Sequence, residues 1–245
     1  MVVYFCKMEE PKLSTMVVLY NTNITFDTSK LMELLPINDV LIKIQKCNEK
    51  RGSSRKDQIK RRSPVKVKSN TGFNRNSITL VMLNNGDGTL EMKEITVKIF
   101  QDGLFHMTGV RGDAYDSSCI NFLMDLLWKT CKEAMLTIPE KPEVLKRRCV
   151  MINYSTKFIS SALISRETLH NSVRALNHEH IHSSYNPDVY PGVIIKIGPQ
   201  KWCAKIFRTG KINLTGMTEH GECHAFIEAL LQLLNEAIPT KPLKS

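Results

Sequence analysis

A twelve-residue run occurs twice in this chain, and that repetition constrains the fold more than any other feature. Lys205 to Gly216 reads KIFRTGKINLTG and Lys98 to Gly109 reads KIFQDGLFHMTG, in register at an offset of 107 residues. Both copies open on Lys-Ile-Phe, turn at a glycine (Gly103, Gly210) and close on Thr-Gly. Apolar and polar residues alternate on either side of the turn, which is the pattern of a β-hairpin. An amphipathic helical stretch follows each hairpin and ends on Ile-Pro-x-Lys-Pro, at Ile138 to Pro142 and again at Ile238 to Pro242. The chain therefore reads as a tandem duplication. A unit of about 100 residues is too long for a solenoid repeat, so one pseudo-symmetric body of two similar halves is expected.

The remaining sequence extends the duplication. Residues 1–14 read as a weakly structured lead, 15–142 as the first half and 143–245 as the second. Thr15 to Asn23 is apolar and β-branched enough for a strand, and Asp27 to Leu35 supplies an N-cap followed by apolar residues at helical spacing. Val150 to Ile159 and Arg166 to Leu176 repeat that strand and helix. Aligning the two openings sets Thr15 against Asn153, an offset of 138, so the first half holds 31 extra residues before its hairpin. These run from Cys47 to about Ser77, rich in Lys, Arg, Ser and Asn, and read as a mobile inserted loop. Ile78 to Leu83 is a strand, Asn84 to Gly88 a turn, and Glu94 to Thr108 the hairpin. Asp113 to Leu136 is a helix with apolar residues at Cys119, Ile120, Leu123, Leu126, Leu127 and Trp128. In the second half Gly192 to Ile197, Trp202 to Thr215 and Cys223 to Ala237 follow as strand, hairpin and helix. The expected fold class is α+β.

A net charge of +10 and a pI of about 9.3 favour a polyanionic partner, nucleic acid or an anionic membrane surface. Between Lys46 and Lys68 ten Lys or Arg stand against two acids, a net +8 that leaves +2 for the rest. Within that segment Lys60, Arg61 and Arg62 open a run to Lys68 that reads as a nuclear localisation signal, a phosphate-contacting arm or a solvated loop. The seven cysteines form no Cys-x-x-Cys pair and the first 14 residues hold no apolar signal core, which points to a reduced intracellular setting. No run of 18 apolar residues exists, so no membrane-spanning helix is expected. Nucleophile elbow, phosphate-binding glycine loop and paired carboxylates are all missing, so neither an enzyme nor a cofactor is expected. His178, His180 and His182 alternate, and His220 lies near Cys223 and His224, but without ligand spacing, and no metal is expected.

Residues two apart on a strand share a face. Lys205 with Phe207, and Lys211 with Asn213 and Thr215, fall on such rows, as do Lys98 with Phe100, and Leu104 with His106 and Thr108. The interleaved Ile99, Met107, Ile206 and Leu214 read as the core side. A face of cations, large aromatics and short polar groups suits a nucleic-acid minor groove: lysines meet phosphates, short polar groups meet base edges, and an aromatic at a strand end wedges between base steps. The competing reading buries both phenylalanines under loops and leaves the lysines solvated.

The run SSYNPDVYPGVIIKI, Ser183 to Ile197, followed by KIFRTGKINLTG, resembles the C-terminal repeat of the TATA-box-binding protein family. The corresponding family stretches read close to SSYEPELFPGLIYRM and LIFVSGKIVLTG. Tyr190 and Phe207 lie 17 residues apart, as do the family's two wedge phenylalanines in that repeat. The resemblance is strong over 183–217 and weak over 15–240. It implies a saddle, in which two α+β repeats form one curved antiparallel sheet with its concave face on the minor groove and its helices on the convex side. Wedge insertion and kinking of the duplex come with the family, which is itself the known example of that mechanism. By motif position Tyr190 and Phe207 are similar to the second-repeat wedges and Phe100 to one of the first-repeat pair. Asn153 is similar to the central Asn that reads base edges, and Thr108 and Thr215 to the threonines that end the hairpins.

The chain also departs from the family. The other first-repeat wedge falls near Ser77, where no aromatic stands and Phe73 lies in the insertion. Thr15 takes the place of the first central Asn. Lys98 and Lys205 replace aliphatic residues on the DNA-facing row, and His106 and Asn213 replace valines. More cations and fewer apolar contacts imply steeper salt dependence and weaker reading of an A·T-rich step. Departures of this kind resemble the homologues of large double-stranded DNA viruses, which would set the chain in a nucleus or a cytoplasmic viral replication site. The loop Asn186-Pro187-Asp188-Val189 matches the stirrup through which the family docks a factor-IIB-type protein, and also reads as an ordinary turn. The resemblance thus implies a monomeric transcription initiation factor that binds and bends promoter DNA and recruits the polymerase machinery. The alternative is a protein-interaction subunit of the same fold with weak or nonspecific DNA binding.

Overall fold

Both copies of the repeated run fold as antiparallel hairpins in the computed structural model, which describes residues 7–58, 75–159, 164–199 and 201–237. The first hairpin is β6 (Lys93–Phe100) with β7 (Leu104–Val110), and the second is β12 (Trp202–Ile206) with β13 (Lys211–Met217). Earlier in the chain come β1 (Lys12–Thr22), β2 (Thr25–Phe26), helix α1 (Thr28–Leu34), β3 (Leu41–Lys46), β4 (Glu49–Gly52), the short α2 (Arg55–Gln58) and β5 (Ser77–Asn84). Between the hairpins lie α3 (Asp113–Thr130), β8 (Met135–Thr137), β9 (Val144–Lys157), α4 (Arg166–Ala175), β10 (Ile181–Ser184) and β11 (Val193–Ile197), and α5 (Glu222–Ala237) follows the second hairpin.

The described residues divide into two compact units, 16–149 and 7–15 with 150–237. The first has the antiparallel order β4-β3-β5-β6-β7-β1, and the second β10-β11-β12-β13-β9. Counted from β1 and from β9, the two orders correspond strand for strand, with β4 as the extra member.

Alternation builds each core. Ile95, Val97, Ile99, Phe105 and Met107 are fully buried, and the edge of the Phe26 ring meets Phe105 at 6.1 Å. Helix α3 packs on β5 and β7 and adds Cys119, Leu123 and Leu127. In the second unit Ala204, Ile206, Ile212 and Leu214 are fully buried, as are Phe226, Leu230 and Leu234 of α5, and Trp202 stacks on Phe226 at 5.2 Å. Each large apolar side chain taken fully out of water contributes about 1.5–3 kcal/mol. These rows decide which face of each hairpin stays open.

Helix α1 starts where Asp27 accepts from the backbone N–H of Ser29 and Lys30 at 2.9 and 3.2 Å, contacts that hold its carboxyl below the usual range. It ends under Arg51 of β4, whose Nη1 donates to the carbonyls of Met32, Glu33 and Leu35.

Several elements differ from the sequence expectation. The helix expected to reach Leu136 stops at Thr130, whose hydroxyl donates to the Leu126 carbonyl at 2.7 Å, and β8 then pairs with β2. Cys131, Ala134 and Met135 are buried at helical spacing, which is why periodicity alone extends the helix. The first residues of the expected mobile insertion form β4, paired with β3, and the short exposed helix α2. Strand β10 arises where no strand was expected. Residues 7–9 are not loosely structured: the Glu9 N–H donates to the Lys157 carbonyl at 2.8 Å, Ile159 donates to Lys7, and Met8 bridges Phe158.

A buried polar cluster lies under β1. Tyr20 and Arg147 Nε each donate to Asp116 Oδ2 at 2.7 Å, and Asp116 is fully buried. Burial first, then the Asp116 carboxylate, push the Tyr20 hydroxyl up to about 12.

The two hairpin turns invite an unequal response to one substitution. Gly103 and Gly210 both hold positive φ, at 80° and 81°. A Cβ at Gly103 would stand 2.0 Å from the Ile24 carbonyl oxygen, whereas at Gly210 its nearest neighbour would be Phe158 at 3.7 Å. Gly210→Ala should cost about 1–2 kcal/mol for the left-handed backbone alone, and Gly103→Ala at least about twice that. Urea denaturation of the two variants checks the order.

Candidate nucleic-acid interface

The face opposite each core carries the same kind of row in both units. On β6 Thr96, Lys98 and Phe100 are half-buried between fully buried neighbours, and on β7 Leu104, His106 and Thr108 are likewise. Register sets Thr79, Lys98, His106 and Leu19 side by side across β5, β6, β7 and β1. The corresponding ladder of the second unit is Ile194, Lys205, Asn213 and Ser155 across β11, β12, β13 and β9. A cation thus stands beside a hydrogen-bonding side chain at the same place in each.

Burial first, then the Lys98 charge, hold the His106 imidazole below its ordinary pKa, so it is neutral at pH 7. His106 Nδ1 and Asn153 Oδ1 are buried with no hydrogen-bond partner among the described residues. An orphaned polar atom of this kind costs about 1–3 kcal/mol until something supplies the bond. Thr215 donates to the Cys203 carbonyl at 3.3 Å. Thr15 is half-buried on β1, and its unit is the one that holds Asn153.

Tyr190 and Phe207 come together at the loop end of the second unit, ring centroids 5.9 Å apart, with Lys205 Nζ 5.7 Å from the Tyr190 ring centre. The loop closes on itself: the Asn186 carbonyl accepts from Val189 and Tyr190, and its side-chain oxygen accepts from the Asp188 N–H at 3.1 Å. Asn186 and Asp188 are exposed and Val189 is 80% exposed. Arg166 donates to the Pro191 carbonyl, and its guanidinium lies 5.4 Å from the Tyr185 ring. A depression of about 400 Å³ beside Phe207 is lined by Arg166, Arg208, Lys211 and Asn213. Three cations around an aromatic edge suit a phosphate chain.

The first unit differs at the same place. Phe100 lies opposite Ser77, which is 3% exposed, and a depression of about 510 Å³ beside Phe100 is lined by Thr25, Asn76, Gln101, Asp102 and Leu136. Among the described residues its lining has one acid and no cation, whereas the depression beside Phe207 has three cations. Lys60, Arg61, Arg62 and Phe73 lie outside the described residues. Arg166 and Arg208 were missed by sequence reasoning: Arg166 sits outside the repeated run, and Arg208, inside it, has Gln101 at the matching place in the first copy, so repetition does not mark it.

Residues 169–237 match the family described as "Transcription factor TFIID (or TATA-binding protein, TBP)". A TATA-box-binding protein of Pyrobaculum calidifontis is 39% identical over 54 residues, 22% of this chain and 27% of that protein. The TATA box-binding protein-like 2 of Mus musculus is 36% identical over 62 residues, 25% of this chain and 18% of that protein. The aligned part is thus about a quarter, or less, of the length of these relatives. Among solved structures, Methanococcus jannaschii TBP superposes with a TM-score of 0.57 at 14% identity, covering 93% of this chain and 99% of that one. The fold shared over nearly the whole chain is the α+β class expected from the repeats.

Proposed function

We propose that this chain, a divergent member of the TATA-binding-protein family by these matches, is a transcription initiation factor that binds duplex DNA through the minor groove and bends it. The observation that carries the reading is the Tyr190 and Phe207 pair, half-buried at a loop end beside Arg166, Arg208 and Lys211. Aromatic edges there insert between base steps while the cations hold the flanking phosphates. The orphaned His106 Nδ1 and Asn153 Oδ1 support the same reading, since a base edge or an ordered water would supply the missing bond. Lys98, Lys205, Asn213, Thr108 and Thr215 line the groove floor, and Thr15 stands where the family's first central Asn would be. The loop at Asn186, Asp188 and Val189 docks a factor-IIB-type protein that leads to the polymerase, with the chain acting as a monomer.

Lysines donate to acceptors that every base pair presents in the minor groove, so Lys98 and Lys205 favour no sequence. Titration against A·T-rich and G·C-rich duplexes at two salt concentrations should give affinities within roughly tenfold of each other, or about 1.4 kcal/mol. Log affinity should fall with log salt by about 0.9 for each phosphate held. The second reading, a protein-interaction subunit, is favoured by Ser77 in the place of a wedge, opposite Phe100. Absence of binding at low salt would leave only that reading.

A further inference from the structure

The outer ladder of the first unit's open face is covered, and its counterpart in the second unit is not. Register aligns Lys43, Val81 and Thr96 across β3, β5 and β6, and the corresponding residues across β10, β11 and β12 are His182, Lys196 and Cys203. His182 and Lys196 are exposed, whereas Lys43 is 9% and Val81 5% exposed. Lys43 is paired there with Asp57 of the segment from Ser53 to Gln58, which has no counterpart among the described residues of the second unit.

Five contacts fasten this strap, one of them within it. Asp57 Oδ1 lies 2.8 Å from Lys43 Nζ and 3.6 Å from Lys50 Nζ, and Asp57 Oδ2 accepts from the Ser54 N–H at 2.8 Å. The Lys43 hydrogen bond and then the Ser54 N–H hold the Asp57 carboxyl well below the usual carboxylate range, so it stays ionised in the folded chain at every physiological pH. Glu94 on β6 accepts from the Arg55 N–H at 2.8 Å, and Lys56 Nζ reaches the Thr96 hydroxyl at 3.4 Å. Lys43 and Lys50 engage the strap's one acid, and the Arg55 and Lys56 side chains are exposed, Lys56 while its ammonium reaches Thr96.

Resting on the DNA reading above, we propose that this strap replaces groove contact on the outer strands of the first unit with phosphate contact through Arg55 and Lys56. A flat strand face enters a groove, but a segment standing proud of it meets the sugar-phosphate wall, where a cation gains and a base reader finds nothing. Each phosphate neutralised adds a sequence-independent increment to the salt slope. The first unit thus gains phosphate contact on its outer strands.

The test compares the parent chain, R55A/K56A and a control, K129A, on A·T-rich and G·C-rich duplexes across a salt series. Lys129 lies on α3 with its side chain 73% exposed, away from the open rows. The expected result is a slope lowered by about 1.8 in R55A/K56A, two contacts at about 0.9 each, with equal loss on both duplexes and no change in K129A. A parent that binds DNA while R55A/K56A keeps the parental slope overturns the strap alone. Loss confined to one duplex overturns it too, because phosphates carry no sequence. A parent that binds neither duplex at low salt overturns the DNA reading and the strap together.

Discussion

Arg147→Ala should destabilise the unit 16–149 by about 3–5 kcal/mol, because it leaves the fully buried Asp116 carboxylate without its countercharge. Arg147 Nε and the Tyr20 hydroxyl share Asp116 Oδ2, so removing the guanidinium strands a charge that water cannot reach. The second contact, Arg147 Nη2 to Asp113 Oδ1 at 2.6 Å, ends on a carboxylate 67% exposed and contributes about 1 kcal/mol or less. Replacing both partners by apolar residues of similar volume, Asp116→Leu with Arg147→Met, should recover most of the loss. Urea unfolding reads both variants, and a loss under about 1 kcal/mol for Arg147→Ala would show that the pair stabilises nothing. Alkali probes the same cluster. Tyr20 titrates near 12 in the folded chain against its ordinary 10, so its contribution is whole below pH 10 and declines as pH rises from 10 to 12. The most that can be lost there is about 3 kcal/mol.

Replacing Phe207 and Tyr190 together by alanine should abolish bending and weaken duplex binding by roughly 30-fold or more, the loss of at least about 2 kcal/mol expected of an aromatic anchor. Both rings are half-buried and pack mainly on each other, so the fold survives their removal. Lys205 remains, and with it a salt-dependent, unbent association. Energy transfer between dyes at the two duplex ends measures the bend, and thermal unfolding checks integrity. Unchanged bending in the double variant would remove these residues as wedges. Phe100→Ala should do less, because the described residues lining the depression beside that ring include no cation to hold a flanking phosphate.

Legibility in the sequence followed the length of the physical signal. The hairpins were plain because period-2 alternation around Gly103 and Gly210 survives in both copies. The row residues Lys98, His106, Lys205 and Asn213 were legible for the same reason, and register puts them in matched ladders. The strap was not legible. Asp57 is one acid in a run of cations, and charge counting cannot say that it meets Lys43 across a turn rather than water. Strand β10 hid because Ile181, His182, Ser183 and Ser184 alternate only in exposure, not in polarity. Arg166 joins Phe207 through loop closure, which leaves no mark in linear spacing.

The pairing of residues 7–9 with 157–159 has a consequence for synthesis. The Glu9 carbonyl accepts from the Thr156 hydroxyl across 147 positions of chain. Whatever the order of the remaining contacts, Glu9 leaves the ribosome 147 residues before Thr156 and cannot dock until that downstream strand has emerged. Closing so long a loop is slow, and the waiting segment stays open to proteases and chaperones in the interval.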